Sequence, residues 1–249
     1  MPKVIGIIPS RYQSSRFPGK PLAMIAGLPL IVRVLQTVQC SQKITEVYVA
    51  TDDNRIADVV QKYGGRVIIT GAHHPTGSDR VAEAASKISA DYIINIQGDE
   101  PFLGKIVIDK VVDALDEPGM VMSSACSPIA NDAEVDNPDV VKVAIDKASM
   151  ALYFSRSKIP FVRDGSSNFQ GFYRHIGIYG FRRDFLLKFA QLPRTPLEKA
   201  ESLEQLRALE HGYKIKMIIS YCDFVGIDSE NDLHKAEEIL IKREMKNAG

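Results

Sequence analysis

Cysteine is scarce in this 249-residue chain: Cys40, Cys126 and Cys222 lie far apart, are odd in number and form no CxxC pair. That spacing excludes a disulfide framework and the common zinc or dithiol signatures, and predicts buried, reduced thiols of a cytosolic protein. Net charge is missing as well, with 31 basic residues against 31 acidic ones. No global field therefore draws the molecule to nucleic acid or to an anionic membrane, and any anion site must be local. Long apolar runs are absent too. The first, Val4 to Ile8, is too short for a signal-peptide core, and none approaches the roughly 20 residues of a membrane span. The expectation is a cytoplasmic protein that is neither exported nor inserted in a membrane. There is also no internal repeat, coiled-coil heptad or low-complexity tract.

What is present is an ordinary globular composition, 45% hydrophobic, at a length near the upper limit for one core. The reading is one domain over residues 1–249, with a smaller lobe at about 120–182. Strand-like and helix-like runs alternate through the first half: KVIGIIP then PLIVRVLQTVQ, ITEVYVAT then NRIADVVQKYG, RVIIT then SDRVAEAASKIS, DYIINIQ then KIVIDKVVDAL. β-branched runs joined by amphipathic helices predict parallel strands with right-handed crossovers, hence an open, mostly parallel α/β sheet. Leu30, Ile31, Val34, Leu35 and Val38 recur at the spacing of one helix face, which should pack on that sheet. Later the pattern loosens into MVMSSACSPI, VVKVAID and FYRHIGIYGFR, read as the lobe's mixed or antiparallel strands, with the polar stretch 163–171 as a mobile loop. LEKAESLEQLRALEHGYK reads as one helix closed by Gly212, KIKMIISY as a strand, and SENDLHKAEEILIKREM as a last helix.

In open α/β sheets ligands bind beyond the carboxyl ends of the strands, where loops and helix N-termini converge. The loop after the first strand, IIPSRYQSSRFPGKPL, puts Arg11, Arg16 and Lys20 at that place. It has neither the GxGxxG of a dinucleotide site nor the GxxxxGK[ST] of a phosphate loop, so side chains must supply what backbone amides supply there. Guanidinium forks and an ammonium suit a triphosphate; a solvated surface loop is the plain alternative. The fourth strand stops at Gln97, Gly98, Asp99 and Glu100, where Gly98 permits a turn that presents Asp99, a candidate Mg²⁺ ligand if a cationic phosphate loop lies near. FVGIDSENDL offers a second acid, Asp228, which on local sequence alone reads first as a helix N-cap. In HHPTGSDR, Thr76, Gly77 and Ser78 could read a base, or could simply form a turn capped by Ser78, with Arg80 starting a helix. His73 and His74 are adjacent, which suits an exposed loop better than joint metal ligation.

IIPSRYQSSRFPGKPL, ATDD, HPTGSDR, NIQGDEP, NPDVVKVAID, ALYFSRSKIP, YRHIGIYGFR, PLEKAESLEQLRALE and GIDSENDL, in this order, resemble the 3-deoxy-manno-octulosonate (KDO) cytidylyltransferases, or CMP-KDO synthetases. The similarity runs from about residue 3 to residue 241. It implies a GT-A-like three-layer α/β/α fold and a Mg²⁺-dependent cytosolic homodimer that converts CTP and KDO to CMP-KDO and pyrophosphate for bacterial lipopolysaccharide. It also implies residue roles. Arg11, Arg16 and Lys20 would bind the triphosphate, with Pro9 beside the nucleotide. Thr76, Gly77 and Ser78 would read cytosine and ribose, with Arg80 close to nucleotide and sugar. Gln97 would lie near both substrates, Asp99 and Asp228 would hold the metal, and Arg156, His175, Tyr179, Glu204 and Gln205 would bind the sugar. Arg11, Lys20, Asp99 and Asp228 would be the catalytic set.

Taken alone, the sugar-binding residues read otherwise: Arg156 as a surface charge, His175 as a satisfied strand residue, Tyr179 as core, Glu204 and Gln205 as a solvated helix face. The chain departs from the family pattern at TGSDR, at Phe17 and at SENDL, changes that keep the hydroxyls of the nucleotide turn but remove a Pro before the last helix. Another acidic sugar (a sialic acid or 8-amino-KDO) and a non-catalytic nucleotide-sugar sensor stay open, while the missing glycine fingerprint argues against a NAD-dependent dehydrogenase.

Overall fold

The computed structural model describes residues 2–13, 17–163, 171–221, 232–233 and 236–239. In chain order the elements are β1 (Val4–Ser10), β2 (Met24–Ile25), β3 (Leu28–Pro29), α1 (Leu30–Gln39), β4 (Glu46–Thr51), α2 (Asn54–Lys62), β5 (Arg66–Ile69), α3 (Gly77–Ser86), β6 (Tyr92–Ile96) and α4 (Lys105–Asp113). They continue with β7 (Met122–Pro128), α5 (Asp132–Val135), β8 (Lys142–Ile145), β9 (Ala151–Ser155), β10 (Tyr173–Arg182), α6 (Arg183–Phe189), α7 (Pro196–Glu201), α8 (Leu206–Glu210) and β11 (Lys216–Ile219).

Alternation along the central strands sorts their side chains into two cores. Val4 and Ile8 of β1 join α1, α2 and α4 on one face, where Leu30, Ile31, Val34, Leu35 and Val38 are buried as their spacing predicts. Ile5 and Ile7 face the other way, toward α3, α6 and α8. The result is helix, sheet, helix in three layers.

The main path of the sheet runs β11-β7-β10-β6-β1-β4-β5. β6, β1, β4 and β5 are mutually parallel, and β11 is parallel to β7. β10 is antiparallel to both of its neighbours in that path, β6 and β7. The stretch read as a smaller lobe is thus continuous with the main sheet through β7 and β10, and leaves it in the β8–β9 hairpin. From β1 the chain steps outward to β4 and β5, then returns to the opposite side of β1 as β6. The crossover α3 therefore lies on the face opposite α1, and a crevice opens beyond the ends of β1 and β6.

Two sequence expectations are corrected, and one buried charge is added to them. The long helix of 197–214 is two short ones, because Ser202 is left-handed (φ 54°) and ends α7; Glu204 and Gln205 lie in the break, not on a solvated helix face. Cys40 is exposed at the end of α1, and only Cys126 of this pair is buried. Lys142, a strand residue, is fully buried, its Nζ donating to the carbonyls of Asn137 (2.8 Å), Val140 (2.7 Å) and Arg156 (2.5 Å). Burial lowers its pKa, and the three carbonyls replace the water it has lost. Most of the loop at 163–171, Cys222 and most of the last predicted helix lie outside the described residues.

Candidate active site

β1 ends at Ser10, and the loop that follows folds back on itself: Gly19 N–H donates to Tyr12 O at 2.9 Å and Leu22 N–H to Gly19 O at 2.8 Å. Gly19 has φ +74°, a conformation that L side chains rarely adopt. The Arg55 guanidinium of α2 stacks 3.3 Å over the Tyr12 ring and anchors the base of the loop. Lys20 leaves this turn to meet Asp99, Nζ to Oδ2 at 2.7 Å. The loop after β1 and the turn after β6 therefore touch through the two charges that the sequence marked out separately. Arg16 lies outside the described residues.

The turn after β6 is fixed by β10. Gln97 N–H donates to Gly177 O at 3.1 Å, and a Cβ on Gly177 would stand 2.9 Å from Gln97 Cγ, so glycine is what lets the Gln97 side chain pass. On the third side of the crevice α3 begins, with Thr76 rather than Ser78 as its cap: Asp79 N–H donates to Thr76 Oγ1 at 3.2 Å. Arg80, in the first turn, is buried, donating to Thr70 Oγ1 (2.6 Å) and paired with Asp52 (2.9 Å).

These segments enclose a cleft of about 430 Å³, part of it open to solvent, lined by Pro9, Ser10, Arg11, His74, Thr76, Gly77, Arg80 and Gln97. Six of those residues are site candidates from the sequence; Ser10 is not, and His74 reads there as part of an exposed loop. His73 is exposed as expected, but His74 is half-buried against Glu83, with Nε2 and Oε2 2.5 Å apart. Ser10 Oγ is buried with no hydrogen-bond partner among the described residues. The sequence signal for Ser10 was its place as the last residue of a strand that ends at the crevice.

Next to the cleft Glu204 accepts twice from the start of α3, from Ser78 Oγ (2.7 Å) and Ser78 N–H (3.1 Å). Burial raises its pKa, and these hydrogen bonds work in the opposite direction. Tyr179 Oη donates to Gln205 Oε1 at 3.0 Å, and burial keeps the phenol protonated by raising its pKa well above the ordinary value. The His175 ring lies 5.3 Å from the Tyr179 ring and edge-on to Phe154 at 5.1 Å. Ser124 Oγ–H donates to Ile178 O (2.8 Å), so its contact with His175 Nε2 (2.9 Å) has the imidazole as donor, which leaves Nδ1 as an acceptor. Burial pushes the pKa of His175 down to about 3, so the ring is neutral at physiological pH. Arg156 is held by backbone carbonyls. Its guanidinium donates to Glu201 O (2.9 Å) and Pro138 O (3.0 Å).

Comparison with known proteins bears on this geometry. A family model described as cytidylyltransferase matches residues 5–215. A 3-deoxy-manno-octulosonate cytidylyltransferase of Geobacter sulfurreducens is 45% identical over 247 residues, covering 95% of this chain and 99% of that one. One from Phocaeicola vulgatus is 45% identical, covering 97% and 99%. The chain belongs to the 3-deoxy-manno-octulosonate cytidylyltransferase family. A solved structure of CMP:2-keto-3-deoxy-manno-octonic acid synthetase complexed with CTP superposes with a TM-score of 0.91 at 38% identity, over 97% of this chain and 99% of that one.

For this cytidylyltransferase the donors available to a divalent cation are few. Among the described residues no three His, Cys, Asp or Glu side chains cluster as a cage. Asp99 supplies one carboxylate, about a third exposed and bonded to Lys20 through Oδ2. One or two carboxylates completed by water and phosphate oxygens suit Mg²⁺, which rarely takes an all-protein cage. The donor set therefore fits that ion. Asp228 lies outside the described residues.

Behind the cleft a buried ion network fixes α3. Arg207 donates to both oxygens of Glu198 (2.7 and 3.0 Å) and to Asp79 Oδ1 (3.1 Å), and Thr76 Oγ1 donates to Asp79 Oδ2 (2.8 Å). Burial opposes the charge on Glu198, yet the bonds from Arg207 leave its pKa below the ordinary carboxylate value. Among the described residues no helix is long and apolar enough to cross a membrane.

Proposed function

We propose that the protein transfers the cytidylyl group of CTP to the anomeric hydroxyl of KDO. The observation that carries this reading is the convergence of three separate segments on one cleft that holds Arg11 and Arg80, with Asp99, two residues past Gln97, paired to Lys20 of the loop after β1. The likeness to a CTP-complexed synthetase supports the choice of nucleotide, and the relatives' names support the choice of sugar.

In this mechanism Arg11, Arg16 and Lys20 hold the triphosphate, and Pro9, Thr76, Gly77, Ser78, Arg80 and Gln97 hold the nucleoside end. Arg80, Gln97, Arg156, His175, Tyr179, Glu204 and Gln205 orient the sugar. Its anomeric oxygen forms a bond to the α-phosphorus, the bridge to the β-phosphorus breaks, pyrophosphate leaves with the bonding electron pair, and the hydroxyl proton passes to solvent. Positioning and charge neutralisation carry most of the acceleration. Mg²⁺ held by Asp99 and Asp228 would neutralise the triphosphate and lower the pKa of the attacking hydroxyl. His175, neutral with a free Nδ1, serves as an acceptor for the sugar rather than as a base. A homodimer is the proposed assembly, supported by Leu152 (61% exposed) and Phe161 (89% exposed) in and after β9. The proposed setting is the cytoplasm, with the product used for lipopolysaccharide.

The test is pyrophosphate release with CTP, KDO and Mg²⁺, with CMP-KDO identified by mass. Omitting the metal should stop the reaction and UTP should replace CTP poorly. No release with CTP and KDO, or equal release with UTP, rejects the proposal.

A further inference from the structure

Asn95 is 0% exposed, in a central strand, at a position where an apolar side chain would be the ordinary choice. Its register partners are Ile7 on β1 and Tyr179 on β10, and Tyr179 in turn faces Ser124 on β7. Residues paired in this way share a face of the sheet, so Asn95, Tyr179 and Ser124 form a polar row across the side that packs on α3 and α8. Each member has a partner in the candidate site: Ser78, Gln205 and His175 in turn.

The first of these pairs does more than satisfy a buried amide. Gln97 Nε2 donates to Asn95 Oδ1 (3.4 Å), Asn95 Nδ2 donates to Ser78 Oγ (3.0 Å), and Ser78 Oγ donates to Glu204 Oε1 (2.7 Å). All three donors point the same way, from the residue that lines the cleft to the carboxylate of the sugar group. A serine hydroxyl has one proton. Because Asn95 occupies the hydroxyl as a donor, the proton of Ser78 is committed to Glu204, and the Glu204 carboxylate is held against the start of α3.

We propose that Asn95 is a positioning residue that joins the nucleotide cleft to the sugar site by fixing Ser78 and, through it, Glu204. The inference rests on the cytidylyl-transfer reading above. A purely structural Asn95 would affect melting temperature alone.

The experiment is steady-state kinetics on full-length Asn95→Leu, Ser78→Ala and the double variant, varying each substrate at saturating levels of the other. Asn95→Leu should raise KM for KDO about tenfold, the scale of a weakened Ser78 bond to the Glu204 carboxylate, and raise KM for CTP by less than about threefold, since Ser78 and Gln97 also serve the nucleoside. In the Ser78→Ala background the same substitution should add less than about twofold, because the two act as one unit. Asn95→Asp, which keeps the shape but removes the donor, should reproduce the split and serves if Asn95→Leu does not fold. The inference is overturned if KM for KDO is unchanged, if KM for CTP rises as much as KM for KDO, or if the effect of Asn95→Leu persists undiminished without the Ser78 hydroxyl. A wild-type protein inert toward CTP and KDO would overturn the cytidylyl-transfer reading and this inference with it, whereas an active wild type with unresponsive Asn95 variants overturns the inference alone.

Discussion

His175 makes a quantitative prediction about stability. Its folded-state pKa of about 3 lies well below the ordinary 6.5, because burial disfavours the imidazolium. Between those two values the unfolded chain binds a proton that the native chain refuses, so stability rises with pH, is complete above 6.5 and is lost as pH falls toward 3. The slope is about 1.4 kcal/mol per pH unit, so going from pH 7 to pH 5 removes roughly 2 kcal/mol. That is an upper bound, since His175 is not wholly shielded from solvent. The perturbation is His175→Gln, which can still donate to Ser124 but does not titrate. Urea unfolding of both proteins at several pH values from 5 to 7.5, with m held common, reads the difference. Other histidines cancel in that difference. Glu83, whose pKa the Lys87 bond lowers from 4.5 to about 2, acts only at lower pH. The wild type should lose about 2 kcal/mol more than the variant by pH 5. Parallel losses in the two proteins would refute the claim that this imidazole is held neutral.

Asp99→Asn should leave less than about a tenth of wild-type turnover, since it weakens both cation binding and the hold on Lys20; a variant above that level rejects the metal-ligand role. Arg207→Met should destabilise the fold by about 3–5 kcal/mol in urea because Glu198 and Asp79 are left buried without their cation, and adding Glu198→Gln should recover part of the loss. No recovery would mean that Arg207 acts by packing alone. Burial pushes the Cys126 thiol up to about 12, so an aromatic disulfide reagent at pH 8 should modify exposed Cys40 but reach Cys126 only in denaturant. Peptide mapping that finds Cys126 modified in the native protein contradicts this.

Local pattern made much of this legible in the sequence. The one-sided spacing of α1 and the β-branched runs of β1, β4 and β6 point to a layered α/β sheet. In such a sheet Arg11, Lys20, Thr76, Gln97 and Asp99 necessarily fall at strand ends or helix starts, which is where they are. Long-range pairing was not legible. Nothing near YRHIGIYGFR shows that β10 runs against both β6 and β7. Helical periodicity across 197–214 hides the left-handed Ser202 that turns Glu204 and Gln205 inward. The burial of Lys142 rests on three carbonyls that VVKVAID by itself does not reveal. The role of Asn95 depends on Ser78 and Glu204, which lie far from it in the chain.

β10 has a further consequence for how the protein is made. β6 and β7 have no direct pairing, so the parallel block of β5, β4, β1 and β6 is joined to the β7–β11 pair through β10. During vectorial synthesis the β6 edge must therefore wait, with its backbone groups unpaired, while the ribosome adds everything from Gln97 to Gly177. An unpaired edge in a half-made sheet is a template for the wrong neighbour. Once β10 has filled that gap, the outer edge of β7 is still open, and it is covered by β11, made about thirty residues later.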